Sequence, residues 1–304
     1  MTRGQAVITV RGLRKSYGTV PAIRGLDLTI LEGEIFAFLG PNGAGKTTTI
    51  EILEGYRKRD GGEVDVLGVD PAHPTQAWRS RIGLVLQTCR MPPDLTVREL
   101  VDRFAAYYPH PRGVDETIKL VGLSEQSRVR AAKLSGGMQR RLDVALAVVG
   151  DPDLVFLDEP TTGFDPTARR QAWEMIGDLR NLGKTVVLST HFMDEAEALA
   201  DHLVLVARGK PIAEGTPGAL RAMDPMSQIM FSQPDPDCGE LPAGIRQQVT
   251  ASNGHLVIQT ADPVATLATL TSWAVSRGAK LPGLEVRHPS LEDVYLKLVK
   301  EAEA

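Results

Sequence analysis

The sequence predicts an α/β protein: a mixed, largely parallel sheet carrying a helical insert, followed by a small C-terminal α+β domain. Three observations carry this. Short apolar runs alternate with helical patterns along the first two thirds of the chain. The stretch from Asp94 to Val149 reads as helix throughout. Beyond Gly215-Thr216-Pro217-Gly218 the segments become shorter and more variable, which marks a domain boundary. With 304 residues there is room for two domains, and for a core that needs neither disulfide nor metal.

The elements follow in order. Val7 to Val10 and Leu26 to Ile30 are expected strands, and Ile35 to Leu39 suits a strand buried on both faces. A glycine-rich turn leads into a helix over Lys46 to Glu54. Gly61-Gly62 precedes a strand at Glu63 to Val66, and Ile82 to Leu86 is another. Thr96 with Glu99 makes a capping box for a helix through Tyr107, which Pro109-His110-Pro111 stops. Helices at Val114 to Val121 and Gly136 to Val149 complete the insert, about residues 88–150. Strands return at Leu154 to Leu157 and Thr185 to Ser189; a helix at Met193 to Ala200 and a strand at Leu203 to Ala207 end the first domain, residues 1–216. Strand–helix–strand order implies parallel strands covered by helices. In residues 217–304, Gln248 to Thr250 and Leu256 to Thr260 flank Ser252-Asn253-Gly254, a hairpin signal. Pro263 to Arg277 and Leu291 to Ala302 read as helices, the second capped by Ser290 with Asp293.

Composition excludes several classes. Lys+Arg 34 against Asp+Glu 38 gives a net charge of -4, which argues against a nucleic-acid partner. Apolar stretches such as Val144 to Val149 fall far short of the ~20 residues that cross a bilayer, so the chain is expected to dock onto a membrane protein rather than span. Met1-Thr-Arg-Gly-Gln lacks the apolar region of a secretory signal. Cys89 and Cys238 form no disulfide framework and no zinc spacing, which suits a reducing compartment; Cys89 reads as filler.

Gly40-Pro41-Asn42-Gly43-Ala44-Gly45-Lys46-Thr47 matches G-x-x-x-x-G-K-[ST], the P-loop pattern, with Thr48 next in line. Its glycines let successive N–H groups wrap phosphate oxygens, and the helix that follows aims its positive end at the same anion. Lys46 is placed to reach the β- and γ-phosphates, and Thr47 to offer a hydroxyl to Mg²⁺. Leu154 to Leu157 ends in Asp158-Glu159 at the strand edge where α/β ligands bind. Asp158 is expected to hold Mg²⁺ directly or through water, and Glu159 to be the base that activates the attacking water. Ser135, Gly136 and Gly137, opening a helix, offer a second anion cradle.

Leu134-Ser135-Gly136-Gly137-Met138-Gln139 resembles the signature motif of ATP-binding-cassette (ABC) ATPases, and it lies between the P-loop and the Asp-Glu strand end, in that family's order. Other motifs match. Gln87 resembles the Q-loop glutamine, which touches Mg²⁺ and the attacking water. Gly163-Phe164-Asp165-Pro166 resembles the D-loop, with Phe164 where leucine is usual. His191, after Leu188-Ser189-Thr190, resembles the switch histidine on the γ-phosphate, and Tyr17 in Lys15-Ser16-Tyr17-Gly18 the aromatic that stacks on adenine. Alone, Tyr17 equally suits a strand edge packed on Val20, Asp165 a helix cap, and Gln87 a strand end. The resemblance covers about residues 5–217. It implies the ABC ATPase fold, ATP and Mg²⁺ as ligands, ATP hydrolysis by Glu159, His191 and Gln87, and a homodimer in which Ser135, Gly136, Gly137, Gln139 and Asp165 act on the partner's nucleotide.

It further implies a separate integral membrane permease, docked near Gln87 and Asp94-Leu95-Thr96, and a cytoplasmic location on the inner face of the cell membrane. Pro289-Ser290-Leu291-Glu292-Asp293-Val294-Tyr295-Leu296 resembles the end of drug and antibiotic exporter ATPases, where Phe is usual at Tyr295. An importer or a lipid or polysaccharide exporter is the near alternative. A soluble ABC protein acting on ribosomes or DNA is the distant one, and it usually needs two cassettes or a long coiled coil.

Overall fold

The structure is a computed structural model that describes residues 4–85, 91–233, 240–252 and 255–303. The chain divides into two compact units, Met1–Pro217 and Gly218–Ala304.

The first unit holds two sheets. β1 (Ala6–Tyr17), β2 (Val20–Leu31) and β4 (Gly61–Val66) form an antiparallel sheet in the order β2-β1-β4. β3 (Ile35–Leu39), β5 (Ile82–Val85), β6 (Leu154–Asp158), β7 (Thr185–Thr190), β8 (His202–Ala207) and β9 (Lys210–Gly215) form the second, in the order β5-β6-β7-β3-β8-β9, parallel except for β9. The first two strands thus lie outside the parallel sheet, in a second sheet that the sequence does not separate from it. Their connection explains this. Tyr17 pairs with Val20 across a tight turn, which forces antiparallel neighbours. Their burial alternates along the strand, whereas β3, β6 and β7 are buried at every residue.

α1 (Lys46–Leu53) leaves the carboxyl end of β3, and α2 (Gln76–Arg79) buries Trp78, whose indole N–H donates to the Val66 carbonyl at 2.7 Å. One core joins both sheets: Ile8, Leu13, Phe36, Phe38, Ile50, Leu53 and Phe156 are all within it. Each such side chain contributes roughly 1.5–3 kcal/mol by leaving water.

The helical insert is α3 (Val97–Ala105), α4 (Val114–Leu120) and α5 (Gly136–Val148). The Thr96–Glu99 capping box is present in both directions. A further helix, α6 (Pro166–Asn181), lies outside the elements the sequence predicts. Its signal is plain in retrospect: Asp165 as N-cap, Pro166 in the first turn, and Ala172, Met175, Ile176 and Leu179 on one buried face. α7 (Met193–Leu199) connects β7 to β8. No helix among the described residues is long and apolar enough to cross a membrane.

The second unit begins within α8 (Pro217–Arg221). β10 (Ser227–Ser232), β11 (Val249–Ser252), β12 (His255–Thr260) and β13 (Glu285–Arg287) make an antiparallel sheet in the order β11-β12-β10-β13. The expected hairpin is β11–β12; Asn253 and Gly254 of its turn lie outside the described residues. α9 (Ala243–Arg246) and α10 (Pro263–Arg277) supply Ile245 and Leu270 to a separate core with Ile229, Phe231 and Ile258. α11 (Leu291–Glu303) starts where Ser290 and Asp293 exchange hydrogen bonds, as the sequence predicts.

Candidate functional site

The glycine-rich loop occupies the turn from β3 into α1. Two glycines are required by space. A side chain at Gly40 would meet the Val206 carbonyl oxygen at 2.2 Å; one at Gly45, whose φ is +102°, would meet the Ala22 carbonyl at 2.5 Å. The loop is therefore wedged against β8 and β2, with its shape fixed by main chain. Lys46 is buried inside it, its Nζ donating to the carbonyls of Gly40 at 2.8 Å and Pro41 at 3.1 Å. Burial holds the Lys46 pKa below its ordinary value, against the opposing pull of the Glu159 and Asp158 charges.

The end of β6 faces this loop. Asp158 is buried and accepts the Thr47 hydroxyl at 3.2 Å and the Ser189 hydroxyl on the same oxygen. A hydroxyl beside a carboxylate is the hard-oxygen donor set that would suit Mg²⁺. Glu159 follows with φ +46°, a strained value for a residue with a side chain. Its N–H donates to the Ser189 carbonyl at 3.2 Å and hydroxyl at 3.1 Å. Its Oε1 lies 3.3 Å from His191 Nδ1 and 3.9 Å from Lys46 Nζ, and its Oε2 accepts the Thr162 hydroxyl at 3.1 Å.

Tyr17 stands at the rim, half-exposed, its hydroxyl 3.3 Å from Thr48 Oγ1, with the Arg57 guanidinium 5.2 Å over its ring. Tyr17 also ends β1, opposite Val20 in the hairpin. The structure thus brings together Tyr17, residues 40–48, Asp158, Glu159 and His191.

Ser135, Gly136, Gly137, Gln139 and Asp165 line a different cleft, which Glu159 borders and no described residue of 40–48 lines. Ser135 caps α5, accepting the Met138 N–H at 3.3 Å. Gln139 donates to its own approach loop, to Leu134 at 3.4 Å. Asp165 caps α6 through the N–H groups of Thr167 and Ala168, both at 2.9 Å. Gln87 and Cys89 lie outside the described residues, as does Cys238. Sequence reasoning missed Arg140, which reaches from α5 to the Asp158 carbonyl at 2.8 Å and the Pro160 carbonyl at 3.3 Å. Its place directly after Met138-Gln139, at the start of a helix that packs on β5, was the available signal.

The sequence pattern of the family described as ABC transporter matches residues 23–162. Nod factor export ATP-binding protein I of Ralstonia nicotianae is 38% identical over 302 residues, 96% of this chain and 93% of that one. The chain belongs to the ABC transporter family. It is the ATP-binding, ATP-hydrolysing type of subunit. A second pattern, described as ABC transporter domain-containing protein-like, C-terminal domain, matches residues 227–290. Among solved structures, an ATP-binding subunit of an ABC transporter superimposes with a TM-score of 0.63 at 25% identity, over 71% of this chain and 92% of that chain. An ATP-binding cassette solved as a dimer in a post-hydrolysis state, with ADP and Pi bound, shares the fold of this ABC ATPase: TM-score 0.61, 24% identity, 69% of this chain and 98% of that one.

Proposed function

We propose that two copies of this ABC ATPase close over ATP and drive export of a hydrophobic compound through a separate integral membrane permease, at the inner face of the cell membrane. The observation that carries the chemistry is Glu159, with one oxygen between His191 and Lys46 and a backbone pinned at positive φ beside the phosphate loop. Strain of this kind concentrates at functional sites.

The main-chain amides of residues 40–45 bind the phosphates, and Lys46 leaves its loop carbonyls to meet them. Tyr17 supports the adenine. Glu159 orients and deprotonates the attacking water, and His191 keeps that carboxylate aimed and contacts the terminal phosphate. Thr47, Asp158 and Gln87 would hold Mg²⁺, which would supply charge neutralisation at the transferred phosphoryl group. Ser135, Gly136, Gly137, Gln139 and Asp165 complete the site of the second copy.

Export is supported by the relatives named for Nod factor export and by the tail from Pro289 to Leu296. The tail's likeness to drug and antibiotic exporter ATPases favours a drug or antibiotic as cargo. The excess of acidic over basic residues supports a permease rather than nucleic acid as partner.

Glu159→Gln tests the chemical assignment. Turnover of Mg-ATP is expected to fall at least about 100-fold with nucleotide affinity nearly unchanged. Vigorous turnover in that variant would remove Glu159 from the role.

A further inference from the structure

Two charged residues outside the site above are spent inside the fold. Glu195, in the first turn of α7, has no exposed surface. Its Oε1 accepts the Thr161 hydroxyl at 2.7 Å and the Trp173 indole N–H at 3.1 Å. Its Oε2 is buried without a hydrogen-bond partner, and the Nε of Arg169 is the other buried side-chain atom left so among the described residues. Stability alone argues against such an arrangement: a buried, half-satisfied carboxylate costs more than apolar packing of the same volume. Burial raises the Glu195 pKa; the Thr161 and Trp173 hydrogen bonds and the Arg169 charge pull it back.

These partners share a property, which is what stands next to them. Thr161 is two residues beyond Glu159, and Glu195 itself stands four residues after His191. Arg169 and Trp173 lie on α6, just behind its Asp165 cap. The Arg169 guanidinium sits 4.1 Å over the Phe192 ring and pairs with Asp194 at 3.3 Å. Phe192 in turn packs on His191, ring centres 4.1 Å apart. A positive φ at Glu159 persists only where the surroundings over-determine it. Glu195 ties the chain just after that strained residue, and α6, to the helix that follows His191.

We propose that Glu195, together with Arg169, is a positioning residue for ATP hydrolysis: it clamps the segment after Glu159 and the start of α6 to the His191 turn, so that carboxylate and imidazole keep their 3.3 Å separation. This rests on the assignment of Glu159 and His191 as the hydrolytic pair. Glu195 acts through its neighbours, so its loss spoils turnover and spares binding. A misplacement of about 1 Å at a reacting group costs on the order of 100-fold in rate.

The test uses the full chain, with steady-state Mg-ATP hydrolysis, KM for ATP and thermal melting compared for Glu195→Gln, Arg169→Gln, the double variant and Glu159→Gln. Glu195→Gln keeps the shape and an acceptor oxygen and removes the charge. In each single variant kcat is expected to fall about 10- to 100-fold while KM stays within about two-fold. The double variant is expected to be no slower than the slower single, because both changes open one clamp. Wild-type kcat in either variant overturns the proposal. So does a loss that follows lowered melting temperature and multiplies in the double variant, the mark of a plain structural role. Should Glu195→Gln fail to fold, Arg169→Gln, which is partly exposed, carries the same expectation alone. Glu159→Gln separates the two layers. If it retains turnover, the hydrolytic assignment fails and the clamp with it; if it is dead while both clamp variants are wild-type, the clamp alone is wrong.

Discussion

Glu54 shows how a single carboxyl registers its surroundings. It ends α1, is almost fully buried, and its pKa is pushed from the ordinary 4.5 to about 8, first by burial and then by the charges of Asp158 and Glu51. The folded protein therefore keeps a proton there that the unfolded chain releases. Stability from this group is fully present below pH 4.5 and is lost as pH rises through about 8. Glu54→Gln cannot ionise, so it removes that slope. In urea unfolding, the variant's advantage over wild type is expected to grow between pH 5 and pH 8 by on the order of 3 kcal/mol. Parallel pH profiles would mean that Glu54 is solvated. The same balance explains why Glu195 was not legible as a site: in Met193-Asp194-Glu195-Ala196-Glu197 it reads as one of three helix-face acids, and only the packing of α6 reveals which one is buried.

Among the elements, the join of β5 and α5 carries a strict steric condition. Gly83 lies against α5, and a side chain there would meet the Ala147 carbonyl oxygen at 2.4 Å and Pro152 at 3.1 Å. The first obstacle is main chain and cannot rotate away. Gly83→Ala is expected to push α5, and with it the Ser135 cap and Arg140, off the sheet, costing at least about 2 kcal/mol in denaturant unfolding. A neutral effect would show that β5 and α5 slide freely. Elements of this kind divide by what the sequence can reveal. β3, the loop and α1 were legible because strand, glycine pattern and helix start are contiguous. The capping boxes at Thr96 and Ser290 were legible because two residues three positions apart suffice to specify them. The split into two sheets was not, since it depends on which distant strands pair. Arg140 was not, since its partners are carbonyls on β6 and the turn beyond, 18 and 20 residues away.

For the whole molecule the telling arrangement is that the loop at 40–48 does not line the cleft of Ser135, Gly136 and Gly137, although Glu159 reaches both. The loop at 40–48 faces Asp158 and Glu159, while Ser135, Gly136 and Gly137 line a cleft that no described residue of that loop borders. In the proposed mechanism a terminal phosphate held from both sides takes its second cradle from another copy. Electrostatics opposes that union. Each chain already carries a net charge of -4, and each bound nucleotide adds more of the same sign. Closure must come from main-chain amides and bound cation at the phosphates, and it must reverse when cleavage removes the bridging charge. Glu159→Gln in Mg-ATP is accordingly expected to sediment at twice the 32.9 kDa of one chain, and to return to a monomer when magnesium is chelated. Ser135→Arg in the same background fills the second cradle and forfeits a helix cap worth about 1 kcal/mol, an affordable loss for a chain of this size. It is expected to bind ATP as before and remain monomeric, since the loop at 40–48 is untouched. If Ser135→Arg dimerises as readily as its parent, the phosphate is not held between two copies, and Ser135 does no more than cap α5.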